Sequence, residues 1–223
     1  MARVRVAATL LAFLFVNGAL AAPFAVQVGE ARIGLDAPPG FADTSFTGSP
    51  RLQELAESLT SPSNRILLFA ISDGDLRKFT LGDPPEFRRY MIAVTPKELE
   101  RERVGAQRFA EFAASALREV GERPPADKGF TEYLDQQPAG RPVMLAELRR
   151  EAEVVSVLVG ARIPPQPRSE KQQYALSTTS LLHLRGKVLS LSVYGAYESP
   201  ADRDWIRGIT TRWIDDIQRF NPR

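Results

Sequence analysis

The run Val154–Ile163, VVSVLVGARI, constrains the fold more than any other part of the chain, because nearly every position in it is apolar. Side chains alternate across a pleated strand, so a continuous apolar run presents apolar groups on both faces, and both must be covered. Its surroundings read the same way. Pro142–Leu148 precedes it across a charged turn, Arg149–Glu153, and Tyr174–Leu184 and a return through Tyr197 follow it. Arg65–Asp73 and Arg89–Thr95 are further strands, the first ended by a turn at Asp73-Gly74. FAVQVGEARIGL alternates apolar and polar residues about Gly29-Glu30, as a small hairpin does, and Pro38-Pro39-Gly40 closes it.

Three segments have helical spacing. Ser49-Pro50 is an N-cap with proline at the first helical position, and Leu52, Leu55 and Leu59 follow on one face. Thr95-Pro96-Lys97-Glu98 resembles a capping box, which predicts a helix from there to Val120 with a stripe through Phe109, Phe112, Ala113, Ala116 and Leu117. Gly105 is a place where that helix would divide, and Gly121 is its C-terminal cap. Ser199-Pro200-Ala201-Asp202 caps a long last helix carrying Trp205, Ile206, Ile209, Trp213, Ile217 and Phe220. Glu122–Gly129 and Pro164–Gln172 are polar, proline-bearing loops. The expected fold class is α+β: a single-domain sandwich, with an antiparallel sheet of about six to eight strands and helices packed on both faces.

The N-terminus predicts export. Arg3 and Arg5 precede an apolar stretch from Val6 to Val16, and Ala19-Leu20-Ala21 supplies the small residues a signal peptidase reads. That stretch is too short to span about 30 Å of hydrocarbon as a helix. The reading is a signal peptide over 1–21 and one α+β domain over 22–223, with no transmembrane segment after cleavage, located in the periplasm or secreted. The 29 basic and 27 acidic residues of the whole chain become 27 and 27 once Arg3 and Arg5 leave. A neutral mature chain gives no electrostatic footprint for a nucleic-acid partner. The sequence has no cysteine, so thiol catalysis and disulfides are excluded, and a domain of this size can bury enough core without them.

His183 is the one histidine, within LLHLRGKVLSLSVYGAY. A two-residue turn at Arg185-Gly186 pairs Leu184 with Lys187 and sets His183 opposite Val188. His183 then shares a face with Thr179, Ser190, Ser192 and Tyr194, while Leu176, Leu182, Leu189, Leu191 and Val193 form the core face. A serine hydrolase needs a base beside a nucleophile and an acid that orients the base. No acid lies on this face and no G-x-S-x-G elbow exists, so the five residues are a candidate ligand-binding surface and the catalytic assignment is none. Asp73-Gly74-Asp75 with Asp83 resembles a calcium loop, but position twelve is Pro84 where a glutamate is required, so no metal site and no cofactor are expected. Trp205 and Trp213 read as core anchors, and the run Glu98–Val104 as a solvated helix face. Glu132, Tyr133 and Asp135 after Phe130 carry no distinguishing pattern.

The strand pair around Arg185-Gly186-Lys187, then Ser199-Pro200, Asp204-Trp205 and Trp213, together with APPGF at Ala37–Phe41, resemble the PsbP-like, or DcrB-like, fold of small exported proteins. The resemblance implies a fold and an accessory or binding role, and supplies no catalytic residues. The expected function is therefore that of an exported, periplasmic, non-enzymatic binding or accessory protein with an unknown protein or small-molecule partner. The alternative is a small periplasmic hydrolase using hydroxyl and carboxylate groups that spacing does not reveal.

Overall fold

A computed structural model describes residues 24–120, 129–165 and 172–222. The expected signal segment and most of the two loops after α3 and β7 lie outside these residues. The strands are β1 (Phe24–Val28), β2 (Ala31–Leu35), β3 (Phe41–Asp43), β4 (Asn64–Ser72), β5 (Arg89–Pro96), β6 (Val143–Glu151), β7 (Val154–Arg162), β8 (Tyr174–Leu184) and β9 (Lys187–Tyr197). The helices are α1 (Pro50–Ser58), α2 (Asp73–Thr80), α3 (Ala106–Val120), α4 (Phe130–Asp135) and α5 (Pro200–Phe220). Seven strands form one antiparallel sheet in the order β3-β4-β5-β9-β8-β7-β6, and β1 and β2 form a separate hairpin. The protein is α+β, with helices on both faces of the sheet.

One face carries Leu68, Met91, Leu158, Leu182, Leu189 and Leu191 and is covered by the β1–β2 hairpin and by Ile206, Trp213, Ile214 and Ile217 of α5. The other is covered in two places. Leu52 and Ala56 of α1 pack on Phe69, Ile71, Ile92 and Val94, and Phe109 and Ala113 of α3 pack on Val155, Leu181 and Val188. The apolar run of β7 is thus the double-sided strand its composition requires. Gly160 within it has a packing reason: a Cβ there would lie 2.7 Å from Leu145 Cδ1 and 3.1 Å from Phe130.

The hairpin register agrees with the sequence reading, with Leu184 opposite Lys187 and His183 opposite Val188. Arg185 (φ 51°) and Gly186 (φ 75°) both take positive φ, as a two-residue type I′ turn demands.

Three local expectations are corrected. The helix expected from residue 97 begins only at Ala106, so the run Glu98–Val104 is not a helix face. That segment is held in turns because Lys187 Nζ donates to the carbonyls of Glu100 and Glu102, and the Val104 amide donates to the Gly186 carbonyl. Asp73-Gly74 is not a turn that ends β4 but the start of α2. Ser72 Oγ accepts from the Asp75 amide and donates to its carboxylate, a reciprocal cap that nucleates the helix. The charged segment Arg149–Glu153 is mostly strand, since β6 runs to Glu151 at the sheet edge, where charge is solvated. Glu132, Tyr133 and Asp135, which carry no distinguishing pattern in the sequence, lie on a short helix, α4.

Candidate functional site

A cavity of about 760 Å³ lies at the β4 edge of the sheet. It exists because β3 is short. β3 pairs with Ala70–Ser72 and then leaves the sheet at Thr44, where a 3-10 turn, Thr44–Thr47, begins. Asp43 starts that turn by accepting from the Ser45 amide, and Gly48, at φ 60°, ends it in the left-handed region that favours glycine. The chain then enters α1, which crosses the sheet beside β4. A groove remains between the 3-10 turn, α1 and the strand Asn64–Phe69.

Its lining is hydroxyl- and amide-rich over an apolar floor. Thr44, Ser45, Ser49, Gln53 and Asn64 surround Ala56, Leu67 and Leu68. Among its charged residues, Asp43 holds Ser45, the Glu57 carboxylate accepts from Gln53, Arg65 pairs with Glu100, and the Lys97 ammonium donates to the Pro62 carbonyl at 2.7 Å. Thr44 is buried and donates its hydroxyl to the Phe69 carbonyl at 3.0 Å, which closes the groove at the β3 end. The sequence carried no signal for this site. Its residues come from three segments, and nothing in periodicity says that β3 stops after three residues.

The residues singled out in the sequence share a face as expected, and the structure divides them. His183 lies beneath α3, its ring stacked on Phe109 with centroids 5.3 Å apart. Its Nε2 lies 2.8 Å from the Val104 carbonyl, which can only accept, so Nε2 carries the proton and is engaged. This histidine pins the segment before α3 to the sheet. Thr179 and Ser192 are cross-strand partners, and both, with Ser190, are half-buried between α1 and α3. Tyr194 stacks on Tyr90 with centroids 4.5 Å apart, and burial pushes both phenols above their ordinary range. None of the five lines the groove at β4.

A second cleft, about 490 Å³, is bordered by Ser72, Asp75, Lys78, Glu86, Arg88, Arg89, Glu198 and Asp202. Each of its cations is paired: Lys78 with Glu86, Arg88 with Glu198, and Arg89 with Asp202. Asp75, one of the aspartates in the calcium-like pattern, is spent on Ser72 and on the Glu86 amide at 2.8 Å. Among the described residues no three His, Asp or Glu side chains stand close enough to hold a metal ion, and no helix is long and apolar enough to cross a membrane. Trp213 is buried and donates Nε1–H to the Asp36 carbonyl at 2.8 Å. Trp205 is half-buried, with the Arg89 guanidinium 4.0 Å from the centre of its ring.

No family model matches the chain, and no curated protein matches it. Among solved structures the chain is similar to a mutant of protein Mog1, at 13% identity and a TM-score of 0.41. It is also similar to the Saccharomyces cerevisiae Ran-binding protein Mog1p, at 11% identity and a TM-score of 0.37. Each match covers 89% of this chain and 94% of the other. Likeness this distant assigns no partner to the present chain.

Proposed function

We propose that this chain is an exported, non-enzymatic binding or accessory protein of the periplasm, built on a PsbP-like fold, and that it binds its partner in the groove beside β4. The supporting observation is the groove itself. It has the volume and the mixture of apolar floor and hydrogen-bonding rim that a ligand site requires, and it stands at a sheet edge, where a partner protein can reach main-chain groups. Its carboxylates are engaged in a cap and a side-chain hydrogen bond, and its hydroxyls have no histidine beside them. Binding is the chemistry these groups offer.

Selection of peptides from a displayed library on the mature protein tests this reading. Peptides that bind the native protein and not Gln53→Trp, in which an exposed wall residue fills the groove, are expected. Selected peptides indifferent to Gln53→Trp would move the site elsewhere. The hydrolase alternative predicts turnover of ester, phosphate or glycoside substrates by purified protein, abolished by a single replacement.

A second reading places a small ligand over the half-buried hydroxyls of Thr179, Ser190 and Ser192, next to the Tyr90–Tyr194 stack. The observation favouring it is that these hydroxyls adjoin on one face between α1 and α3, with the phenol pair alongside. Loss of ligand binding on Ser190→Tyr with Gln53→Trp unaffected would support it.

A further inference from the structure

The groove lies where the sheet edge is left unfinished. β3 pairs with β4 only from Ala70 to Ser72, so the stretch Asn64–Phe69 has no strand on its outer side. An unpaired strand edge presents main-chain donors and acceptors that a further strand can satisfy, and proteins protect such edges with charge, bulges or a cover. The two edges of this sheet differ in that respect. β6 carries Glu147, Arg149, Arg150 and Glu151 and two register shifts against β7, which discourage strand addition. β4 offers the uncharged sequence Ile66-Leu67-Leu68, with a single shift on its inner side, against β5.

We infer that the groove takes one extended, uncharged segment of a partner protein as an added strand, antiparallel to β4 and in line with β3. This rests on the groove being the binding site. The direction follows from the sheet, whose pairings are all antiparallel, and from β3, whose line the added segment continues beyond Thr44. The Thr44 hydroxyl already satisfies the Phe69 carbonyl, so pairing begins past that point and extends toward Asn64. At about 3.3 Å per residue, the open stretch accommodates roughly five or six partner residues.

Charge decides the chemistry of the occupant. Two acids, Asp43 and Glu57, and two bases, Arg65 and Lys97, line the groove, so its lining is formally neutral. No excess of either sign compensates a charged segment, whereas hydroxyl and amide groups on the rim suit serine and threonine. Phe46, next to the lining residue Ser45 on the 3-10 turn, is 82% exposed and adds apolar surface to that turn. The turn and α1 wall the groove, which suits a single strand better than the edge of a second folded copy.

The test titrates N-acetylated, C-amidated heptapeptides of alternating valine and threonine into ¹⁵N-labelled protein. Exchange of those amides between Arg65 and Leu68 that point away from β5 is expected to slow by about tenfold or more at saturation. N-methylation at alternate peptide residues, and separately replacement of the threonines by glutamate or lysine, should each weaken binding by about tenfold. Peptides blocked by Gln53→Trp that leave these amides unprotected, or whose N-methylated forms bind equally well, would overturn strand addition and leave the groove reading standing. Absence of binding up to millimolar peptide overturns strand addition; insensitivity of the library-selected peptides to Gln53→Trp separately overturns the groove reading. Dimerisation through the β4 edge in sedimentation without peptide would make a second copy the occupant and overturn the inference.

Discussion

The ammonium of Lys187, a side chain with no solvent exposure, sits 3.0 Å from the Glu30 carboxylate, although Glu30 lies in the β1–β2 turn and Lys187 at the start of β9. Lys187 also donates to the carbonyls of Glu100 and Glu102, so one buried cation joins the β1–β2 turn, the segment before α3 and the start of β9. A buried ammonium persists only when its donors are met, and here three acceptors surround it. Lys187→Met is expected to lower stability by about 1–3 kcal/mol, because two inward carbonyls lose their donor. Chemical denaturation measures this, and an unchanged midpoint would contradict it.

The same pair sets an acid dependence. Its hydrogen bond to Lys187 holds the Glu30 carboxyl below its ordinary value of 4.5. A depressed carboxyl stabilises the folded state in full above that value and loses the contribution as pH falls through the lowered one. The melting temperature of Glu30→Gln should therefore lie below that of the native protein at neutral pH and converge with it in strong acid. A constant difference across that range would contradict the pairing.

Trp213→Ala should cost about 3–5 kcal/mol, since the indole is buried in the main core. Trp213→Phe keeps much of the packing and loses the bond to Asp36, for about 1 kcal/mol. Equal effects of the two replacements would argue against a core position.

His183→Ala should destabilise the segment before α3, with faster amide exchange from Leu99 to Val104, and leave partner binding unchanged. Loss of partner binding with native exchange rates would return His183 to the candidate site.

The arrangement of the long hairpin was legible because the pair Arg185-Gly186, and the alternation of Leu189, Leu191 and Val193 with Ser190, Ser192 and Tyr194, leave one register that buries Leu176, Leu182, Leu189 and Leu191 together. The need to cover β7 on both sides was legible for the same reason. The segment Lys97–Gly105 was misread as helix because its charges fit a helix surface, while the contact that fixes it comes from Lys187, about ninety residues away along the chain. α2 was missed because Asp73-Gly74 resembles a turn until the hydroxyl of Ser72 is seen to cap it. The groove was invisible for a further reason: it is a gap left where β3 stops, and a local sequence pattern does not report an absent neighbour.

Partner binding in the groove beside β4 makes a sharp demand on variants that fill it. Calorimetric titration of the library-selected peptides into the native protein, Gln53→Trp and Ser190→Tyr, each first shown to be folded by its melting curve, tests it most directly. Affinity is expected to fall by about tenfold or more in Gln53→Trp and to be retained in Ser190→Tyr. Retention in Gln53→Trp with loss in Ser190→Tyr would contradict it and move the site to the hydroxyl-bearing face of the sheet.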